Sequence, residues 1–171
     1  MRKQIFAGLG INSLIMSNID IEQRALRAKE LFLSGYNCCQ SVVLAFEDIT
    51  ALEPTLAATI SAPFGGGMGR LREVCGTVSG MTFLAGAIKP STNPSNLEER
   101  KENYALVQLF ADKFREENGD IVCRRLLGLE PIAERAETAM PSERTPEYYR
   151  KRPCSEYVGC AARIVAEYFT K

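Results

Sequence analysis

Residues Pro63 to Gly80 read P-F-G-G-G-M-G-R-L-R-E-V-C-G-T-V-S-G, and how this stretch is read decides the fold. It holds six glycines and one cysteine, Cys75, between two apolar segments. Glycine permits positive φ and close approach of other backbone or a ligand, at an entropic cost. Glycine at that density predicts a tightly turned loop. From Val74 the chain continues V-C-G-T-V-S-G-M-T-F-L-A-G-A-I-K, apolar nearly all round. That predicts a buried central helix beginning at Leu71 or Glu73. Val74, Thr77, Val78 and Thr82 favour sheets, but the length and the lack of strict alternation favour helix. Gly76, Gly80 and Gly86 are expected to allow close helix contact.

Upstream, residues 19–34 place Ile21, Ala25, Ala28, Leu31 and Phe32 at helical spacing, with Gly35 as the terminating residue. Asn37 is a good N-cap for C-C-Q-S-V-V-L-A-F-E-D-I, with Cys38 and Cys39 in its first turn. A short apolar helix begins at Pro54 and ends before Pro63. Downstream, Ser95-Asn96-Leu97-Glu98 predicts a capping-box start. The helix beyond it reaches about Asn118, with Tyr104, Val107, Leu109, Phe110 and Phe114 as core candidates and Gly119 as its end. Asp120 is expected to cap a short helix, I-V-C-R-R-L-L-G, that Gly128 ends. Residues 129–145 show no strong periodicity. Thr145-Pro146-Glu147 starts another helical stretch, and residues 153–169 form the last helix. The fold class is all-α: a single-domain multi-helix bundle of about six to eight helices, with a glycine-rich loop before a buried central helix. Residues 1–18 are expected as an N-terminal extension, and 19–171 as one helical, cysteine-containing domain.

The chain has 171 residues, 46% hydrophobic and 25% charged, with 21 basic against 21 acidic side chains. Balanced charge argues against a dominant electrostatic role on nucleic acid or an anionic membrane. Arg124-Arg125 and Arg150-Lys151-Arg152 read as solvated helix faces. No apolar run reaches the roughly 18 residues of a membrane span, so no membrane insertion is expected. The first eleven residues resemble the start of a secretory signal, but no A-x-A-like cleavage site follows and Asn12 interrupts the run. There is no histidine, which excludes Cys-His proteases and His-ligated zinc or haem sites built within the chain.

The six cysteines are Cys38, Cys39, Cys75, Cys123, Cys154 and Cys160. No pair has C-x-x-C spacing, which counts against zinc ribbons, thioredoxin-type sites and ferredoxin cluster loops. Cys38, Cys75, Cys123 and Cys154 share a setting, each predicted within about one turn of a helix N-terminus. Free N–H groups and the helix dipole favour a thiolate there and lower its pKa. Cys39 and Cys160 read more readily as packing residues, with Tyr157, Cys160 and Ile164 on one stripe. The loop itself has a second reading: Gly65, Gly66, Gly67, Gly69 and Arg70 as a backbone cradle for a phosphate or other anion. It lacks both the G-x-x-x-x-G-K-[ST] and the G-x-G-x-x-G spacing, and no strand precedes it. The preferred reading is close passage of the loop against neighbouring helices, delivering Cys75 to a shared site.

At these residues the chain resembles the C_GCAxxG_C_C family of redox-active proteins. That family pairs a G-x-N-C-A-Q start with an F-G-G-G-M-G-R loop, C-G-A-x-x-G and two later cysteines. Here Gly35-Tyr36-Asn37-Cys38-Cys39-Gln40 matches with Cys39 in place of a small residue. Phe64 to Arg70 matches the loop, and Cys75-Gly76-Thr77-Val78-Ser79-Gly80 carries threonine in place of alanine. Cys123 and Cys154 fill the last two positions, and Cys160 is additional. Part of the pattern is also similar to a region of split-Soret cytochromes c, but no C-x-x-C-H is present, so covalent haem is not expected. The resemblance implies a redox role and, through the family's association with transporter genes, a protein redox partner or transporter component.

The leading expectation is a redox protein in which Cys38, Cys75, Cys123 and Cys154 converge and form reversible disulfides. In the alternative, the same four ligate an iron–sulfur cluster or zinc. A third reading, of another class, is a non-catalytic binding module whose cysteines are structural. Reactive thiols fit a reducing cytoplasm better than an oxidising compartment.

Overall fold

The computed structural model describes residues 19–129 and 138–170. The expected N-terminal extension and residues 130–137 of the aperiodic stretch lie outside the described residues. The fold is all-α, with nine helices and no sheet among the described residues.

Helix α1 (Ile21–Leu33) starts at Asp20, whose carboxylate accepts from the Gln23 N–H. Helix α2 (Cys38–Leu44) has a full capping box: Asn37 accepts from the Cys39 and Gln40 amides, and the Gln40 side chain accepts from the Asn37 N–H. The sequence predicts this helix to continue to Ile49. It breaks at Phe46, because Arg24 takes over the Ala45 carbonyl at 2.6 Å while pairing with Asp48. The Ile49 amide bonds Phe46 instead, giving a separate short turn, α3 (Glu47–Thr50). Helix α4 (Pro54–Ser61) has Pro54 in its first turn, and Pro63 falls within a 3₁₀ turn, Ala62–Phe64, that follows directly.

The glycine loop is a left-handed turn. Residues 66 to 70 all have positive φ: Gly66 at 66°, Gly67 at 71°, Met68 at 63°, Gly69 at 57° and Arg70 at 68°. Left-handed backbone costs an L-residue roughly 1–2 kcal/mol, so three glycines in five positions keep that cost low. Arg72, at φ 61°, is the last such residue before the chain straightens. Val74 then forms an isolated antiparallel bridge with Val122. The Cys75 N–H donates to the Ile121 carbonyl at 2.8 Å, and the Cys123 N–H to the Glu73 carbonyl at 2.7 Å. This pairing holds residues 72–75 extended, so the central helix α5 (Gly76–Ile88) begins later than the expected Leu71 or Glu73, with Cys75 as its N-cap.

Helix α5 packs against α2, against α6 (Leu97–Asn118) and against α9 (Cys154–Thr170). A methyl group on Gly80 would lie 2.8 Å from the Val42 Cβ, so this glycine does set the α2–α5 approach, whereas Gly86 faces open space. Asn96 caps α6 by accepting from the Glu99 N–H, one residue later than the Ser95–Glu98 box predicts. Its buried stripe is Leu106, Phe110 and Phe114, while the expected core residues Tyr104 and Leu109 are exposed. Asp120 accepts from the Ile121 and Val122 amides just ahead of α7 (Cys123–Leu126). Helix α8 (Pro146–Lys151) and α9 complete the chain, with α9 lying along α1. The centre of the core is Phe32, Phe46, Met81, Leu84, Phe110 and Phe114, each almost fully buried. No helix among the described residues is long and apolar enough to cross a membrane.

Candidate functional site

Cys38, Cys75, Cys123 and Cys154 each stand at a helix start. Cys38, Cys123 and Cys154 are the first residues of α2, α7 and α9, and Cys75 caps α5. All four line one cavity of about 360 Å³. Cys75 and Cys123 are buried and Cys38 and Cys154 half-buried. All six cysteines are free thiols.

The loop glycines hold these helix starts together. A Cβ on Gly65 would sit 2.5 Å from the Asn37 side chain that caps α2. On Gly67 it would sit 2.7 Å from the Cys123 Cβ, and on Gly76 3.0 Å from the Cys38 Sγ. Gly65, Gly66, Gly69 and Arg70 line the cavity, with Gly67 buried behind its wall. The amides of Gly69, Arg70, Arg72 and Glu73 donate to carbonyls of Pro63, Gly65, Gly66 and Gly67. Those N–H groups serve the turn itself. Arg70 donates to the Thr138 carbonyl at 2.9 Å and contacts the Ser142 hydroxyl at 3.4 Å, clipping the 138–142 segment over the loop.

Sequence reasoning missed three other arginines that line the cavity, Arg72, Arg144 and Arg152. Arg72 is buried and its Nη1 lies 3.9 Å from the Cys123 sulfur. Arg144 stacks over Phe32, its guanidinium carbon 4.5 Å from the ring centre, and also faces Tyr148. Arg152 faces the same Tyr148 ring at 5.1 Å. The R-K-R run reads as one solvated face because its charges are contiguous. Helix α8 stops at Lys151, however, and extended backbone at Arg152 turns that one side chain inward while Arg150 and Lys151 pair with Glu147.

Burial governs the thiols. It pushes Cys154 up to about 12, with the charges of Cys38 and Cys123 adding to it and Arg152 and Arg144 opposing. Burial also raises Cys75, aided by the charge of Cys38, while a contact to the Thr77 hydroxyl at 3.1 Å acts the other way. Cys123 is raised by burial and pulled back by Arg72. The expectation that helix starts depress these pKa values therefore fails for Cys75, Cys123 and Cys154. A helix dipole is worth roughly 0.3–1 kcal/mol near the surface. Desolvation of a fully buried ionisable group shifts its pKa by as much as about 3–5 units.

Thr77 stands where the related pattern has alanine, and it gives Cys75 its one hydroxyl contact. Thr77→Ala is expected to raise the Cys75 pKa further and to slow its alkylation roughly three- to tenfold, since one pKa unit is tenfold in thiolate. Site-resolved alkylation by mass spectrometry reads this, and an unchanged Cys75 rate would remove Thr77 from the site.

The other two cysteines lie elsewhere. Cys39 is fully buried in the core and pushed up to about 12, burial being the main cause. Cys160 faces α6, where Asn118 donates to its sulfur at 3.3 Å and Glu117 lies at 3.4 Å. Among the described residues no group of three or more Cys, Asp or Glu side chains is placed to hold a single metal ion.

No curated protein and no solved structure matches the chain. The sequence model of one family, described as "Putative redox-active protein (C_GCAxxG_C_C)", matches residues 36–168, a span that takes in all six cysteines and every cavity-lining residue except Phe32. With four thiols at four helix starts around one cavity, and that match over most of its length, the chain belongs to the C_GCAxxG_C_C family.

Proposed function

We propose that the protein is a thiol-based redox protein that cycles Cys38, Cys75, Cys123 and Cys154 between dithiol and disulfide states. The observation that carries this reading is the shared cavity: four cysteines far apart in sequence line one space of about 360 Å³. Core packing alone has no reason to place four small apolar side chains at four helix starts around a void.

Cys38 is the entry thiol. It is half-buried, against the sealed Cys75 and Cys123. Its sulfur lies beside Gly76, the neighbour of Cys75. A charge on Cys38 raises the pKa of Cys75, Cys123 and Cys154, so all three are within its electrostatic reach. The Cys38 proton leaves to solvent and the thiolate attacks an incoming disulfide. One mixed disulfide forms and one thiolate leaves. A second cavity thiol, deprotonated in turn, attacks the Cys38 sulfur, closes an internal disulfide and releases the second thiolate. Two electrons pass from the protein to the incoming disulfide. Such cycling suits a reducing compartment, where partners can restore the dithiol.

The test is thiol counting with peptide mapping on anaerobically purified protein. Six free thiols are expected after reduction. Mild disulfide oxidants should remove two or four of them reversibly, with Cys38 in the new bond and Cys39 and Cys160 still free. An unchanged count overturns the reading. So does purified protein that carries bound iron and absorbs near 400 nm, which would turn the four thiols into cluster ligands.

A further inference from the structure

We infer that the exchange partner admitted to this cavity is a small anionic disulfide, or the corresponding thiol, bound through its acidic groups by Arg144 and Arg152. This rests on the thiol-redox reading for its chemistry, but the charge selectivity is carried by separate observations. The first is the lining. Four arginines, Arg70, Arg72, Arg144 and Arg152, face the space, and no Asp or Glu does so among the described residues.

The second is what these arginines do in the resting structure. Elsewhere Arg24, Arg115 and Arg124 each pair with a carboxylate, as does Arg163. Arg144 and Arg152 make no ion pair among the described residues and lie over aromatic rings instead. The Arg144 Nη1 is buried and has no hydrogen-bond partner among the described residues. An unpaired buried donor on a charged group costs stability, and a ligand carboxylate would remove that cost. Ring stacking fixes the guanidinium planes; Arg144 Nη2 donates to the Tyr36 carbonyl at 3.4 Å, and its Nη1 is the donor left for such a ligand.

The third is size and access. A cavity of about 360 Å³ lies at the small end of ligand sites, enough for a small molecule. Cys75 is 6% exposed and Cys123 5% exposed, so the incoming disulfide meets Cys38 and these two act behind it. The segment held by Arg70 through Thr138 and Ser142 adds Ala139, Pro141 and Ser142 to the cavity wall.

The electron flow is that of the exchange above. The Cys38 thiolate attacks one sulfur of the small disulfide, whose acidic groups rest on Arg144 and Arg152. One anionic thiolate leaves, and a second cavity thiol displaces the other. Without the arginines, a thiolate site would repel an anionic disulfide and favour a cationic one. Preference for the anion is therefore not the default outcome.

The experiment compares three probes of similar size on the reduced full chain: dithiodiglycolate (anionic), bis(2-hydroxyethyl) disulfide (neutral) and cystamine (cationic). Rates of internal disulfide formation are read by mass spectrometry. The expected order is anionic, then neutral, then cationic, with the anionic probe at least tenfold faster than the neutral one. Arg144→Gln with Arg152→Gln should reduce that ratio to near one. Because Arg144 also packs on Phe32, the same ratio is followed in the unaltered chain as salt is raised. It should fall towards one at 1 M, where screening acts over about 3 Å. Equal rates, or a cationic preference, overturn the inference while leaving the thiol chemistry standing. If no probe yields an internal disulfide, the redox reading falls and this inference with it.

Discussion

Gly67→Ala is expected to cost about 3 kcal/mol or more of folding stability, more than other single methyl additions in the loop. Two costs combine. Gly67 has φ 71°, where an L-residue loses roughly 1–2 kcal/mol. The added Cβ would also lie 2.7 Å from the Cys123 Cβ and 2.9 Å from both the Arg72 Cα and the Glu73 amide nitrogen. Two of those three neighbours are backbone held by the 72–75 and 121–124 pairing, so they cannot rotate away. Overpacking of that kind typically adds about 1–3 kcal/mol. Gly69→Ala is the control. Its φ of 57° carries the same backbone cost, but its nearest neighbour is the Pro63 carbonyl oxygen at 3.9 Å. That variant should lose only about 1–2 kcal/mol. Urea melts of reduced protein separate the two. Equal losses would mean that the loop does not press on the Cys123 helix start. Faster alkylation of Cys123 in Gly67→Ala should accompany the loss of stability, because the same displacement opens its wall.

The site was legible wherever a local signal existed. Asn37, Asp120 and Thr145 mark turns or helix starts through short side chains that bond nearby amides, a signal that lies within three residues. The glycines of the loop declare left-handed backbone because few other residues adopt it at low cost. What the sequence hides is long-range. The Val74–Val122 bridge joins segments nearly fifty residues apart, and neither alternates like a strand. Without that bridge nothing in the residues says that Cys75 caps its helix or that Cys123 lies beside the loop. Arg72 and Arg152 were unreadable for a related reason: arginine is an exposed residue by default, and only tertiary context turns it inward. Tyr104 and Leu109 were misplaced because α6 carries more apolar residues than one face can bury, and the Leu106, Phe110, Phe114 stripe takes the core.

The second large effect is with pH. Reduced protein is expected to hold its stability up to about pH 8.5 and to lose about 3 kcal/mol or more by pH 10. The cause is the raised thiols. Burial lifts Cys39 and Cys154 from an ordinary value of 9.0 to about 12, and Cys75 moves in the same direction. A thiol with a raised folded pKa keeps its proton while the unfolded chain has already released it. Its stabilisation is therefore whole below pH 9 and falls away as pH rises through 9 towards 12. One unit above the unfolded pKa costs about 1.4 kcal/mol per thiol, so Cys39 and Cys154 together give about 3 kcal/mol at pH 10. Tyr148 and Tyr157, also raised by burial, add in the same direction only nearer and above their ordinary value of 10.0. Cys39→Ala isolates the thiol part, because Cys39 stands apart from the cavity and its side chain is fully buried. At pH 8 that variant should be less stable than the unaltered chain by about 1 kcal/mol, from lost packing. At pH 10 the difference should vanish or reverse, because the alanine has no proton to release. Urea midpoints measured at both pH values with reductant present decide it. If the gap is the same at pH 8 and pH 10, the Cys39 thiol is not raised by its burial and does not contribute to the alkaline limit.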